Sequence, residues 1–369
     1  MHIKTFLAVY PDTSVIDNID DFTDNVRNSF QDEDMKRKLK RSEVPHFVLY
    51  NIEGKALSSK GLICLTNIQD YRDGNILRHE KTLEEKELEQ IKLISVRKSM
   101  VKPVLLAYPS HEVFDDYLET LKTDNNLVQH FHFDDKDEKH TFWTVSDPKS
   151  IEHITTFFEN ELKRVYIADG HHRLSTFSRY GNESGSEIGD YVLSVYIPFS
   201  GLQIHPFNRI INLSENWDWD LMMKKLKGYC FVEKIKKPFT PKFKFNFLMT
   251  SGSNIYSCVW KPSLLEKYKD EPLVLDTALI NAVLFKDLFE MKDVRTDDRI
   301  KYVEGYKGWE GFYKSFKKAG NNVGFYLYPI DFEDFQKVSD LGLTLPPKST
   351  WFEPRIRNGL VIHDLRLSQ

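Results

Sequence analysis

A run of ionisable side chains around one glycine is the part of the sequence best suited to chemistry. The stretch VYIADGHHR contains Asp169, Gly170, His171, His172 and Arg173. The glycine permits a tight connection and lets a ligand approach the backbone closely. The guanidinium can donate two hydrogen bonds at once to a phosphate or carboxylate, and the imidazoles add donors or a base. The pattern predicts an anion site, and a phosphoryl group suits it best.

Two elements must position these side chains. The apolar run before Asp169 predicts a strand, and LSTFSRYG predicts a helix that begins near His172 and ends at Gly181. The first N–H groups of a helix are unpaired and carry partial positive charge, which favours an anion there. In a competing structural interpretation, Asp169 caps the helix and Arg173 pairs with an acidic neighbour.

Two further clusters supply polar groups. His79 and Glu80 precede a predicted helix, where Glu80 can act as a general base or simply favour the helix N-terminus. Asn208 and Arg209 follow a predicted strand and offer a contact for a substrate anion or a nucleobase.

A third cluster lies near the end of the chain. Lys348, Ser349 and Thr350 place one ammonium and two hydroxyls in a single Pro-rich loop. The order is similar to the end of a nucleotide-binding P-loop, but the required glycines are missing, so no such motif is assigned.

Composition limits the class of protein. The chain has 369 residues, with 51 Lys+Arg against 55 Asp+Glu and a net charge of -4, which argues against a general nucleic-acid binder. Cys64, Cys230 and Cys258 are far apart, as is typical of reduced thiols in an intracellular protein. No stretch has the pattern of a signal peptide or an apolar span of about 20 residues. We therefore expect a cytoplasmic protein without a membrane partner.

The order of elements predicts an α+β fold in two domains, because strands and helices mix without a long βαβ series. A change of composition near residue 216 predicts domains at 1–215 and 216–369. Residues 128–145 predict a hairpin with His130 and His132 on one face, and His140 is expected across from them. Such histidines can bind a metal, although a solvent-facing strand side is the simpler interpretation.

Four motifs together resemble the bacterial and archaeal domain-of-unknown-function family numbered 1015. They are ADGHHR at 168–173, RHEKT at 78–82, NRII at 208–211 and LPPKSTWFEPRIRNGL at 345–360. The likeness runs over nearly the whole chain. The chain departs from the family pattern at Leu174, Asn208 and Arg355, where members carry an aromatic residue, a histidine and a lysine.

The central loop also resembles the phosphate loop of the ParB/sulfiredoxin superfamily, one branch of which phosphorylates free serine. The resemblance implies a mixed-sheet core of that type with an additional α+β region at the C-terminus, whose PPKST segment is expected to return to the site. His171 stands where sulfiredoxin has its reactive cysteine, so repair of sulfinic acid is not expected.

The resemblance implies a phosphoryl-transfer enzyme that uses Mg²⁺ with ATP or ADP. Its substrate would be a small hydroxylated metabolite, with free L-serine as the first candidate. Residues 170–173 and 348–350 would hold phosphates, while Asn208 and Arg209 would bind substrate. Glu80, Asp169 and His172 would be the catalytic residues, and a carboxylate among them would take the hydroxyl proton or hold the metal.

Two alternatives remain at this stage. One is a non-catalytic binding protein that responds to a nucleotide. The other is a small-molecule phosphatase in which His171 or His172 is the nucleophile. The order of elements does not predict an oligomeric state.

Overall fold

The chain forms two compact units. A computed structural model describes residues 1–55, 57–82, 84–184, 190–294, 296–318 and 320–367. The first unit contains Met1–Gln203 and Pro354–Gln369, and the second contains Ile204–Glu353. Residue 215, where the composition predicted a boundary, therefore lies inside the second unit.

The first unit begins with strands and helices in alternation. Its strands are β1 Ile3–Lys4, β2 Ala8–Pro11, β3 Leu39–Arg41, β4 Phe47–Glu53, β5 Ser58–Asn67, β6 Ile76–Leu77, β7 Ser99–Met100, β8 Val104–Tyr108, β9 Leu127–Phe133, β10 Glu138–Val145, β11 Val165–Asp169 and β12 Tyr191–Pro198. Its helices are α1 Ile19–Ser29, α2 Glu33–Arg37, α3 Gln69–Arg72, α4 Glu84–Arg97, α5 Glu112–Thr120, α6 Pro148–Asn160 and α7 His171–Ser184.

The remaining elements follow the division at residue 203. The strands are β13 Gln203–His205, β14 Phe207–Asn212, β15 Cys230–Ile235, β16 Asn246–Ser251, β17 Asn254–Trp260, β18 Ile300–Glu304, β19 Asn322–Leu327, β20 Trp351–Glu353 and β21 Ile362–Asp364. The helices are α8 Trp219–Tyr229, α9 Pro262–Leu265, α10 Asp276–Leu279, α11 Gly308–Lys317 and α12 Phe332–Asp340, and a π-helix continues α10 over Ile280–Leu288. Strand β21 belongs to the C-terminal segment of the first unit.

A mixed sheet forms the centre of the first unit. Within the described residues its order is β6-β11-β8-β12-β5-β4-β10-β9, with β1 added beside β5. The pairs β6–β11 and β8–β12 are parallel, whereas β11–β8 and β12–β5 are antiparallel. Strands β3, β2, β21 and β7 form a second small sheet in that order. This arrangement confirms the predicted α+β class with a mixed sheet.

Two hairpins of the structure have a glycine in the connection between their strands. Strands β4 and β5 pair through Gly54 and the turn that follows, and β16 and β17 pair through a two-residue turn at Gly252 and Ser253. The turn suits glycine because Gly252 has a φ of 56°.

The position predicted for His140 in the third hairpin is wrong. Strands β9 and β10 form the hairpin, but His140 pairs with Phe131 and is fully buried, whereas His130 and His132 are exposed. Directly opposed residues share a face of the sheet, so His140 lies on the phenylalanine side. No group of three or more potential metal-binding side chains occurs in the part of the chain that the structure describes.

The second unit contains a separate sheet and core. Its sheet has the order β15-β17-β16-β19-β14-β18. The larger apolar cluster on this sheet includes Phe247, Trp260, Phe285 and Phe325, all nearly inaccessible to solvent. Burial of such large aromatic side chains gives the unit a core of its own. Across the described residues, each helix falls short of the length and apolar character that crossing a bilayer requires.

Candidate functional site

The glycine of the predicted loop connects a strand directly to a helix. Strand β11 ends at Asp169, and α7 begins at His171. Gly170 has a φ of 107°, and the N–H of Leu174 donates to its carbonyl at 3.0 Å, which closes the first helical turn. The N–H groups of the first turn therefore surround the loop, as the sequence predicted. A Cβ added at Gly170 would lie 2.6 Å from Nη2 of Arg173.

Three cationic side chains converge on Asp169. Nη2 of Arg173 lies 2.9 Å from Oδ2 of Asp169, and Nη1 of Arg355 lies 2.6 Å from Oδ1. Nζ of Lys102 lies 3.6 Å from Oδ2. These four side chains are 21–28% exposed, so a solvent-borne ligand can reach them. One carboxylate faces three cations, and the partial charge of the helix N-terminus adds to the positive excess.

Sheet topology explains why Lys102 and Arg355 lie beside Asp169. Strand β8 runs antiparallel to β11, and Asp169 pairs with Leu105, so the residues just before β8 lie beside the loop. The C-terminal segment reaches the same region because β21 pairs with β7, placing Asp364 opposite Ser99. Residues distant in sequence therefore meet at one end of the sheet.

The charges of this cluster shift the pKa values of Asp169 and Lys102. Burial alone would raise the pKa of Asp169, but Arg173, Lys102 and Arg355 hold it well below its usual range. Burial, together with the charges of Arg173 and Arg355, lowers the pKa of Lys102 to about 8, against the attraction of Asp169. Asp169 is therefore ionised at neutral pH and is a weak proton acceptor.

His171 is a neutral buried group at this site. Its ring is 7% exposed and meets the ring of His79 edge-on, with 4.4 Å between centroids. Burial lowers the pKa of His171 to about 3, although Asp169 opposes the shift. Nδ1 of His171 lies 3.8 Å from Oε2 of Glu80, a partly exposed carboxylate that precedes α4. Nε2 of His171 has no hydrogen-bond partner among the described residues.

The neighbouring residues of α7 anchor the helix. Burial opposes ionisation of Glu87, yet hydrogen bonds from Ser175 and Thr82 and the charges of Arg179 and His172 lower its pKa. Oγ of Ser175 donates to Oε1 of Glu87 at 2.5 Å. These contacts fix α7 against α4, and they place His172 on the side of α7 that faces Glu87.

Asn208 and Arg209 lie in the second unit, on β14, and both are fully buried. The guanidinium of Arg209 donates to the carbonyl of Phe207 and, at 3.2 Å, to that of Lys348. Burial lowers the pKa of Arg209 to about 10. Oδ1 of Asn208 accepts from the N–H of Leu327 at 2.9 Å. Contact of either side chain with a substrate finds no support here, because solvent does not reach them.

The PPKST segment forms an irregular loop of the second unit. Lys348 is exposed, with a φ of 56° that is uncommon for a side chain of this kind, and its Nζ lies 5.0 Å from the ring centre of Phe207. Oγ of Ser349 donates to the carbonyl of Pro346 at 2.6 Å, and Thr350 is also buried. The hydrogen bond from Arg209 to the carbonyl of Lys348 holds this loop in place.

Sequence reasoning did not identify Lys102 or assign a role to Arg355. A lone lysine before an apolar strand gives little signal, because only the antiparallel register of β8 and β11 brings it to Asp169. Arg355 stands within a recognised motif, and its role depends on the return of the C-terminal segment to the first unit.

Comparison with protein families identifies the group to which the chain belongs. The family model described as "Protein of unknown function (DUF1015)" matches residues 9–278, more than half of the chain. The chain therefore belongs to this family. No curated protein matches the sequence.

Solved structures provide only distant likenesses. SbnI with a C-terminal truncation, from Staphylococcus aureus, is 12% identical with a TM-score of 0.45, and the match covers 83% of this chain and 89% of that one. A free serine kinase in complex with AMP is 14% identical with a TM-score of 0.39, covering 83% and 93%. A conserved hypothetical protein from Pyrococcus furiosus is 14% identical with a TM-score of 0.39, covering 83% and 97%. We draw nothing about the site from likenesses this distant.

Proposed function

We propose that this member of the DUF1015 family binds the phosphates of a nucleotide at the start of α7 and transfers a phosphoryl group to a small hydroxylated metabolite. The observation that carries the proposal is the meeting of Lys102, Arg173 and Arg355 on one carboxylate beside a helix N-terminus. Phosphoryl transfer depends mainly on positioning and on stabilising negative charge, which such a cluster supplies. The ParB/sulfiredoxin-like assignment of the first unit belongs to the same proposal and rests on the motif resemblance.

In this proposal Asp169 organises the cations. An incoming phosphate competes with Asp169 for Arg173 and Arg355, and the first N–H groups of α7 bind the same oxygens. Nε of Arg173 has no hydrogen-bond partner among the described residues, so it can gain an acceptor when a phosphate binds. His171 stays neutral and contributes hydrogen bonds without charge.

Glu80 is our candidate for the general base. It is partly exposed, whereas the low pKa of Asp169 makes that residue a weak base. His172 remains a candidate for guiding a proton or a phosphate oxygen at the second position of α7. The phosphate contacts predicted for Lys348, Ser349 and Thr350 stay a separate prediction for the second unit, where Arg209 supports their loop through the carbonyl of Lys348.

Mg²⁺ is part of the proposed cofactor set with ATP or ADP. Both oxygens of Asp169 already face cations, so that carboxylate does not fit as a metal ligand. Mg²⁺ commonly binds through substrate phosphates, and because Glu80 is the candidate base, the nucleotide phosphates are the proposed ligands of the ion. We derive no step of the reaction through the metal.

A transfer assay with labelled ATP or ADP and a panel of hydroxylated amino acids, beginning with free L-serine, tests the proposal. Glu80→Gln should keep nucleotide affinity within about twofold and lower turnover by at least 100-fold, the scale of general-base catalysis. Arg173→Ala should abolish binding. Tight nucleotide binding without transfer to any member of the panel would contradict the enzymatic part and favour the non-catalytic binding protein.

A further inference from the structure

A cavity in the second unit lies outside the site described above. It has a volume of about 340 Å³, within the usual range for small-molecule sites. Its wall includes Trp217, Leu221 and Phe289, and its rim includes Lys225, Glu290 and Arg299. The rings of Trp217 and Phe289 stack with centroids 5.4 Å apart and planes 18° from parallel. The cavity therefore combines a flat apolar wall with charges at its mouth.

Two unusual backbone features meet at this cavity. The π-helix Ile280–Leu288 ends there, and π-helical turns are rare and frequently occur at functional sites. Glu290 follows with a φ of 53°, in the left-handed region that a side chain seldom occupies. Such strain is retained where the surrounding structure or a function requires it.

Among the described residues, some charged side chains at the rim of the cavity have a partner of opposite charge within 4 Å, and others do not. Arg299 is paired twice with Asp297, at 2.9 and 2.7 Å, and Asp218 caps α8 through the N–H of Leu221 at 2.9 Å. Among the residues that the structure describes, Lys225 donates only to the carbonyl of Asp287, at 3.4 Å. Within the described part of the chain, no acid lies within 4 Å of the Lys225 ammonium and no base within 4 Å of the Glu290 carboxylate.

From this arrangement we propose that the cavity binds a zwitterion with an apolar side chain, namely an apolar α-amino acid. Lys225 would pair with its carboxylate and Glu290 with its ammonium, while its side chain would pack on Trp217 and Phe289. Lys225 and Glu290 provide one positive and one negative charge at the mouth, which matches a zwitterion. A simple anion would lie close to the carboxylate of Glu290, and a simple amine would lie close to the ammonium of Lys225, so either ligand would meet a charge of its own sign. Neither the phosphate loop nor the proposed transfer reaction is required for this binding.

Isothermal titration of the whole chain tests the proposal. L-leucine and L-phenylalanine should bind, whereas 4-methylpentanoate, which is leucine without the ammonium, and isoamylamine, which is leucine without the carboxylate, should bind at least tenfold more weakly. L-serine should also bind weakly because it offers the apolar wall little surface. Failure of all the amino acids to bind at millimolar concentration would overturn the proposal.

Substitutions separate binding from folding. Glu290→Gly removes the carboxylate and suits the left-handed backbone, so the melting temperature should not fall while affinity for L-leucine drops at least tenfold. Lys225→Met should weaken binding similarly, whereas Lys224→Met, on the exposed neighbouring position of α8, should leave it unchanged. Equal effects of the two lysine variants, or wild-type affinity in Glu290→Gly, would overturn the assignment of the rim charges.

Discussion

At the scale of residues, Lys102 gives the proposed phosphate site a pH dependence. Its pKa of about 8 means that it carries its charge at neutral pH and loses it in mildly alkaline solution. Affinity for ADP should therefore fall above pH 8, by up to about tenfold per pH unit. Titration calorimetry from pH 7.5 to 9.5 measures this in a range where the phosphates are already fully ionised.

Lys102→Arg is the matched control, since a guanidinium keeps its charge over this range. The affinity of this variant for ADP should not change with pH. The free energy of unfolding of the ligand-free wild-type protein should change in the opposite direction. Because Lys102 binds its proton more tightly in the unfolded chain than in the folded protein, the stability rises between about pH 8 and 10.5. Wild-type affinity that does not change with pH would contradict the role of Lys102.

His171 should remain neutral throughout the physiological range. Its pKa of about 3 follows mainly from burial, so its imidazole signals should show no inflection between pH 5 and 8. Nitrogen-edited NMR of the imidazole groups, with the signals assigned by His171→Gln, measures this. An inflection near the ordinary histidine value of about 6.5 would show a charged group at the loop and would contradict its proposed neutral role.

At the scale of elements, Gly170 shows why the strand-to-helix connection requires glycine. Gly170→Ala should strain the backbone by about 1–2 kcal/mol and push the side chain of Arg173 from its position. Gly74→Ala is the matched control, because Gly74 has a φ of 78° and open space around its Cβ position.

Both glycine variants should lose a few degrees of melting temperature, and only Gly170→Ala should lose affinity for ADP. Thermal unfolding and calorimetry measure the two effects separately. Equal ADP affinity in the two variants would mean that the position of Arg173 does not govern binding.

Local sequence patterns predicted these elements well. Alternating apolar residues predicted the hairpin at residues 128–145, and the apolar run ending at Asp169 predicted β11 before α7. The same patterns misplaced His140, because a hairpin's register depends on where its turn begins. They also predicted contacts with a substrate anion or a nucleobase at Asn208 and Arg209, and the sheet of the second unit buries both side chains.

At the scale of the whole molecule, the C-terminal segment completes the first unit. Strand β21 lies between β2 and β7, and Arg355 reaches Asp169. A chain that stops after Glu353 should therefore melt several degrees lower and lose ADP affinity, because it lacks a sheet strand and a cation. Arg355→Ala should lose affinity while its melting temperature changes little. Wild-type stability and affinity in the shortened chain would contradict this organisation.

The sequence alone does not predict which strands pair when they are distant along the chain. No local pattern indicates that a strand near residue 363 pairs with one near residue 100, and this pairing brings Arg355 into the first unit. Motif likeness correctly indicated the family. Lys102 was missed because its role depends on neighbours that only the folded sheet provides.

The central claim is that the loop at the start of α7 binds phosphates through Lys102, Arg173 and Arg355. Calorimetric titration of ADP into the wild-type chain, Arg173→Ala and Arg179→Ala tests it most directly, because Arg179 lies on the same helix and pairs with Glu84 at 3.1 Å, away from Asp169. We expect saturable binding to the wild type and to Arg179→Ala, and a loss of at least 100-fold in Arg173→Ala. Equal affinity in all three proteins, or no binding to the wild type, would contradict the account.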